Sequence, residues 1–348
     1  MRTLNVAAVQ MDANPAPTAE RLARAEKLVA GAARAGAQLI ALPELFNTGY
    51  AYSDENHERA ERFDGQTVTW MRDTAAHLGA HLAGSLMLLE HGDIYNALLL
   101  FAPDGRLWRY DKNCPWGWER GYFRGPRGRR IVVAETDLGD LGFLTCWDLA
   151  HLDLWRQYAG RVDMMVICSC PPQVTDPTYH FPNGDRVTVD DMGPMMVALK
   201  RSARRIFGDM LNQQTAWLRV PAVQTVGCGH IRTGVPNSRM SVLTYSLAAP
   251  WLLKYIPQAD RMEISCDLVQ GCKVVGAGGQ VLSELSQEEG EAFALSEVSL
   301  TDQKPVPREP QPGPLIPRIA YFVADVWLPS LARSTYRRGL RRISKVRR

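Results

Sequence analysis

Three reactive side chains stand just past strand-like runs. Leu144-Thr145-Cys146-Trp147-Asp148 follows one such run and precedes a helix-like one. A cysteine at that sharp turn would present its sulfur at a sheet edge, beside backbone N–H groups that favour anions. Ala41-Leu42-Pro43-Glu44-Leu45 sets a carboxylate at the end of a buried-looking strand over 38–42, and Tyr110-Asp111-Lys112-Asn113 sets an amine after a strand over 106–110. A thiolate can attack a carbonyl, a carboxylate can take and return the proton, and an ammonium can hold an oxyanion. Taken singly, each has a duller reading: the cysteine packs, Glu44 caps a helix behind Pro43, and Lys112 is an exposed cation.

The order and spacing of further motifs weigh against those readings. They include Ala8-Val9-Gln10-Met11, then Leu42-Pro43-Glu44-Leu45-Phe46-Asn47-Thr48-Gly49-Tyr50, Tyr95-Asn96-Ala97 and Pro103-Asp104-Gly105. Trp118-Glu119-Arg120-Gly121-Tyr122-Phe123 completes the set. With Glu44, Lys112 and Cys146, they make residues 4–300 resemble the nitrilase superfamily of carbon–nitrogen hydrolases. The resemblance implies an α/β fold, a four-layer α-β-β-α sandwich, with Glu44, Lys112 and Cys146 as catalytic triad and Glu119 as a second, supporting carboxylate. It implies no cofactor and no metal. Glu44 would take the Cys146 proton, pass a proton to the departing nitrogen and later activate water. Lys112 and the backbone N–H of Trp147 would hold the oxyanion, Tyr50 would serve substrate binding, and the intermediate would be a thioester on Cys146.

Cys146-Trp147-Asp148 together with Leu45-Phe46-Asn47-Thr48-Gly49-Tyr50 is closer to amide and carbamoyl hydrolases than to true nitrilases, which tend to carry Cys-Trp-Glu. Acyl transfer to an amine through the same thioester, and nitrile hydrolysis, are the alternatives. After the nucleophile, many relatives have an arginine-containing stretch ending in Pro-Glu; this chain runs Leu149-Ala150-His151-Leu152-Asp153 and leaves the substrate open. His151 and His180 are near enough in sequence to suggest a Cys–His pair, but neither sits in a matching context.

The elements that must position these groups alternate. Strands are expected over 4–10, 38–42, 81–89, 95–101, 106–110, 130–135, 142–145 and 162–168, and helices over 18–35, 67–78 and 152–158. Residues 171–191 read as a long loop bordering a pocket, and 192–218 as helical. Residues 235–268 form an unusually apolar insertion, and strand patterning resumes over 274–279 and 292–298. The hydrolase domain is expected over 1–303. Residues 304–348 are expected to hold a proline-rich connector, an apolar segment and a basic tail. Six prolines between 305 and 317 make that connector extended.

Composition narrows the rest. With 348 residues and 46% hydrophobic content the chain can bury a sizeable core. Its seven cysteines, an odd number, give no disulfide framework, and the spacing of Cys168 with Cys170 and of Cys266 with Cys272 does not suit paired zinc ligands. No signal-like or membrane-spanning run is visible, so a cytoplasmic protein is expected. The net charge of +3 hides a tail bearing Arg333, Arg337, Arg338, Arg341, Arg342, Lys345, Arg347 and Arg348, without which the body is acidic. Nucleic-acid binding by the whole surface is therefore not expected. Residues 315–331 are apolar but interrupted by Arg318 and Asp325. Together with the arginines they suit either packing on another subunit or peripheral contact with anionic lipid through 315–348. The expected partners are a small-molecule amide and a second copy in a homodimer or larger homo-oligomer.

Overall fold

The strand Arg2–Asp12 shows how the layers form. Its side chains alternate between two apolar clusters: Val6 and Ala8 face one, Ala7 and Val9 the other. Leu39 and Ala41 against Ile40, and Leu98 and Leu100 against Ala97 and Leu99, divide in the same way. A register slip of one residue would exchange the two sets, so burial on both faces fixes the pairing.

The computed structural model describes residues 2–197 and 199–346. Its first sheet has seven strands. Arg2–Asp12, Leu39–Ala41 and His81–Glu90 run parallel in that order, and Asp93–Phe101 and Leu107–Asp111 continue antiparallel. Ala292–Leu300 pairs antiparallel with the first strand. The second sheet has six strands, with Gly139–Thr145, Met164–Cys168 and Ala222–Gln224 parallel at its centre. Helices Thr18–Arg34 and Gln66–Leu78 cover the outer face of the first sheet through Leu22, Val29, Val68 and Met71. Leu152–Tyr158 and Leu211–Leu218 cover the second through Leu154, Trp155, Leu211 and Leu218. Between the sheets, Val6, Leu98 and Leu100 meet Leu141, Phe143 and Val166. This is the four-layer α-β-β-α sandwich.

Two stretches differ from the sequence expectation. Residues 171–191 are not simply a loop: Thr178–His180 and Arg186–Thr188 form a hairpin whose turn uses Gly184 at φ +89°. Thr178–His180 also pairs with Glu263–Asp267 from the apolar insertion, and Glu263–Asp267 with His230–Gly234, making a separate four-stranded sheet. The turn residues between two three-residue strands hid the alternation of buried Tyr179 and Val187. Residues 192–218 break into Pro194–Val197, Ser202–Arg205, a π-turn at Ile206–Met210 and Leu211–Leu218. Ala198 lies outside the described residues. The wide π-turn brings Ile206 and Phe207 to a cavity wall while Leu211 stays in the core.

Residues 304–317 carry neither helix nor strand. Helix Arg318–Phe322, a π-turn Val323–Trp327 and helix Leu328–Val346 follow without interruption. This segment folds back on its own chain. Ile316 and Ala324 join the large apolar cluster that includes Phe143 and Trp155, and Leu328 and Ile343 join a second cluster with Tyr52 and Trp118. Two glycines allow the approach: a Cβ on Gly117 would lie 2.7 Å from Leu328 Cδ1, and one on Gly339 would collide with the His57 ring. Ile94 N donates to the Tyr336 hydroxyl, which donates to Asp93, and Arg342 pairs with Asp54. No helix among the described residues is long and apolar enough to cross a membrane. Arg347 and Arg348 lie outside the described residues.

Candidate active site

Each reactive group follows a strand in the packed sandwich. Glu44 comes three residues after Leu39–Ala41, Lys112 directly follows Leu107–Asp111, and Cys146 directly follows Gly139–Thr145. Glu119 arrives on the single turn Gly117–Gly121. Cys146 has φ +50°, a conformation that L-residues rarely adopt, and opens the turn Cys146–Ala150. That sharp reversal turns its sulfur away from the strand and toward the carboxylates.

All four side chains converge. Lys112 Nζ lies 2.8 Å from Glu44 Oε1 and 2.6 Å from Glu119 Oε2. The acidic oxygens of Glu44 and Glu119 and the Cys146 sulfur all lie within 4.8 Å of one another. Asn96 Nδ2 donates to Glu44 Oε1 at 2.7 Å, and the Cys170 N–H donates to Oε2 at 3.2 Å. Glu119 accepts from the Tyr50 hydroxyl at 2.6 Å and from the Trp116 N–H at 2.7 Å. Tyr50 therefore orients Glu119, while its ring faces the cavity.

Burial sets the proton affinities. Desolvation raises the Glu44 pKa above its ordinary value, helped by Glu119 and opposed by Lys112. Desolvation, reinforced by Glu44, also holds the Cys146 thiol well above its usual range. For Lys112 burial acts to lower the pKa, yet Cys146, Glu119 and Glu44 outweigh it and keep the ammonium charged. The resting site is thus a neutral thiol beside a carboxylate whose proton affinity has been raised, with a fixed cation between two acids. That suits a base that takes the proton during attack rather than a preformed thiolate. Two acids and a thiol could ligate a metal, but the Lys112 ammonium already supplies the positive charge between the carboxylates.

The residues beyond those four fall into two groups. His151 stacks edge-on to Trp147, and His180 bonds Ser265 in the small sheet, so neither histidine is bonded to the sulfur. Cys168, Cys170, Cys266 and Cys272 are buried free thiols, all raised by desolvation. Three supporting residues, though present in the motifs and segments read from the sequence, were given no role in the site there. Asn96 steers Glu44. Asp148 accepts from the Tyr110 hydroxyl and from the N–H groups of Cys114, Asn113 and Thr145, tying the cysteine turn to the lysine loop. Asp325 accepts from Trp147 Nε1. A signal did exist for two of them: a lone amide in the apolar strand Asp93–Phe101, and a lone acid in the apolar stretch 315–331.

A narrow cleft leads to the sulfur. Glu119, Cys146 and Trp147 form its floor, Leu199, Ile206 and Phe207 one wall, and Ala320, Val323 and Ala324 of the C-terminal segment another. The model of the family described as carbon-nitrogen hydrolase matches residues 5–195, more than half of the chain. The chain belongs to the carbon–nitrogen hydrolase family. It is 32% identical over 151 residues to a nitrilase of Pyrococcus abyssi, covering 42% of this chain and 56% of that protein. Over 171 residues it is 30% identical to omega-amidase NIT2 of Xenopus tropicalis, covering 46% and 61%. The match thus spans less than two thirds of either relative. Among solved structures, the family protein XC1258 of Xanthomonas campestris, described with an arsenic adduct in its active site, superposes with a TM-score of 0.61. Identity there is 20%, with 86% of this chain and 91% of that one covered. A mutant amidase of Nesterenkonia sp. AN1, with acrylamide added at its active-site cysteine, gives 0.60 at 18% identity, covering 86% and 94%. At such identities these two likenesses bear on the fold alone.

Proposed function

We propose that the protein hydrolyses a non-peptide carbon–nitrogen bond, an amide or carbamoyl amide, through a thioester on Cys146. The observation that carries this reading is the buried Glu44–Lys112–Glu119 chain with the Cys146 sulfur beside its carboxylates. Glu44 takes the Sγ proton as the sulfur attacks the carbonyl carbon. Lys112 Nζ and the Trp147 backbone N–H stabilise the oxyanion. Glu44 then gives the proton to the nitrogen, the C–N bond breaks, and an amine or ammonia leaves. Water, deprotonated by Glu44, attacks the thioester; the acid departs and the proton returns to sulfur.

Glu119 and Tyr50 act by positioning Lys112. The cleft favours an apolar acyl group, because Leu199, Ile206, Phe207 and Val323 offer it no hydrogen-bond partners. Omega-amidases among the relatives support an amide as substrate, and nitrilases among them support nitrile hydrolysis as the alternative.

Intact-mass spectrometry after incubation with amides of graded acyl length tests the reading. An acyl adduct is expected on the wild type and not on Cys146→Ala, with free acid as product. Turnover by the alanine variant would overturn it. If added amines capture the acyl group in preference to water, the reaction is transfer instead.

A further inference from the structure

The turn that walls the cleft also has an outward face. Ile319, Phe322 and Val326 follow one another at i, i+3 and i+7 and are exposed, Val326 to 57%. Met240, Leu243 and Leu247 repeat the spacing on helix Ser238–Tyr245 and the turn after it, with Leu247 78% exposed. The two stripes belong to one surface. Trp327 Nε1 donates to Thr244 Oγ1 at 3.1 Å, Asn237 Nδ2 donates to the Leu331 carbonyl, and the Phe322 and Trp327 rings lie 6.4 Å apart. Exposed apolar stripes of this kind, rimmed by polar residues, mark interaction surfaces.

A basic groove borders the first stripe. Val326 lines it together with Arg120, Arg124, Arg333 and Arg337. Arg124 is neutralised by Asp93, and Arg120 donates to the Pro115 carbonyl. Among the described residues no carboxylate pairs with Arg333 or Arg337, both exposed. Asp325 also lines this groove, but its carboxylate is held by Trp147 and His151.

We propose that this surface docks the protein on an anionic lipid bilayer, the apolar stripes entering the headgroup boundary and the arginines meeting lipid phosphates. Charge complementarity selects that occupant over a second copy of the chain. Residues 238–247 and 318–337, which bear the stripes and the groove arginines 333 and 337, hold one acid, Asp325, already held by Trp147 and His151. No free acid is left there to meet the arginines of a partner copy. Docking would also set the wall residues Ala320, Val323 and Ala324 one helix diameter from the lipid, suiting a substrate drawn from the membrane. This inference goes beyond the chemistry proposed above and does not depend on it.

Sedimentation of the full chain with phosphatidylcholine vesicles, with and without phosphatidylglycerol, tests the proposal. Binding is expected only with the anionic lipid, and it should weaken as salt is added. Arg333→Gln with Arg337→Gln should weaken partitioning roughly 30-fold, since each such arginine contributes about 1 kcal/mol near the surface and 1.4 kcal/mol is tenfold. Phe322→Ser with Val326→Ser, and separately Leu243→Ser with Leu247→Ser, should each abolish sedimentation while circular dichroism stays unchanged. The second pair keeps the test decisive if the first disturbs the tail. Negligible sedimentation of the wild type overturns the proposal, as does equal binding by all variants. So does light scattering in which the serine variants turn a lipid-indifferent dimer into a monomer. Acylation of Cys146, followed by mass in the same samples, reports separately on the catalytic reading.

Discussion

Trp147 Nε1 donates a 2.8 Å hydrogen bond to Asp325 Oδ1, joining the residue after the cysteine to one 178 positions later. Through this bond the C-terminal segment becomes part of the cleft, because Ala324 and Val323 beside it line the wall. Burial pushes the Asp325 pKa up, but the His151 ring 3.5 Å away and the hydrogen bond from Trp147 outweigh it and hold the carboxylate below its usual range.

Asp325→Ala strands a partly buried indole N–H and should cost about 1–3 kcal/mol. Asp325→Asn keeps an acceptor and should cost less. Because Asp325 has a depressed pKa, its contribution is full above the unfolded value and is lost as pH falls through the folded one. Thermal unfolding at neutral pH, with kcat/KM across acyl lengths, checks both variants; the alanine variant is expected to lose discrimination among acyl groups.

Glu44→Gln separates activity from stability. Removing the base should lower kcat by about 10²–10⁴. Stability should not follow. A folded pKa raised above the unfolded 4.5 means that Glu44 favours folding below that pH and loses this contribution as pH rises through the folded value. Ionised Glu44 also leaves two carboxylates for one ammonium; glutamine leaves one for one. Melting temperatures from acid to neutral pH should show the variant declining less and matching or exceeding the wild type at pH 7.

Glu119→Gln removes a charge that helps raise the Glu44 pKa and a carboxylate that fixes Lys112. The acid limb of kcat/KM should move to lower pH, while the rate at its plateau falls about 10²-fold. A merely structural role would leave the position of that limb unchanged.

Asp148→Ala should be among the most destabilising single changes in the site. It leaves the Tyr110 hydroxyl and the N–H groups of Cys114, Asn113 and Thr145 without their acceptor in a buried region. The expected loss is at least about 3 kcal/mol by chemical denaturation. Asp148→Asn, with one acceptor oxygen, should lose less.

The resemblance of the motifs to the nitrilase superfamily pointed to Glu44, Lys112, Glu119 and Cys146, and residue pattern foresaw most of the strands, because alternating burial is written in neighbouring positions. The hairpin of Thr178–His180 and Arg186–Thr188 escaped that reading, since three-residue strands show too little alternation and its partner, Glu263–Asp267, lies far along the chain. Asn96 and Asp148 escaped for a related reason: each acts by satisfying buried donors or acceptors supplied by other elements.

The amino-acid sequence by itself determined the chemistry available at the site: a thiol, two carboxylates and an amine, each after or beside a strand. Only the tertiary structure decided that Lys112 bridges both acids, that burial raises the proton affinity of Glu44, and that the C-terminal segment packs back on its own chain with Asp325 on Trp147. The physical reason is that proton affinity and cleft shape depend on desolvation and on neighbours brought together by folding. Neither is encoded in the spacing of adjacent residues.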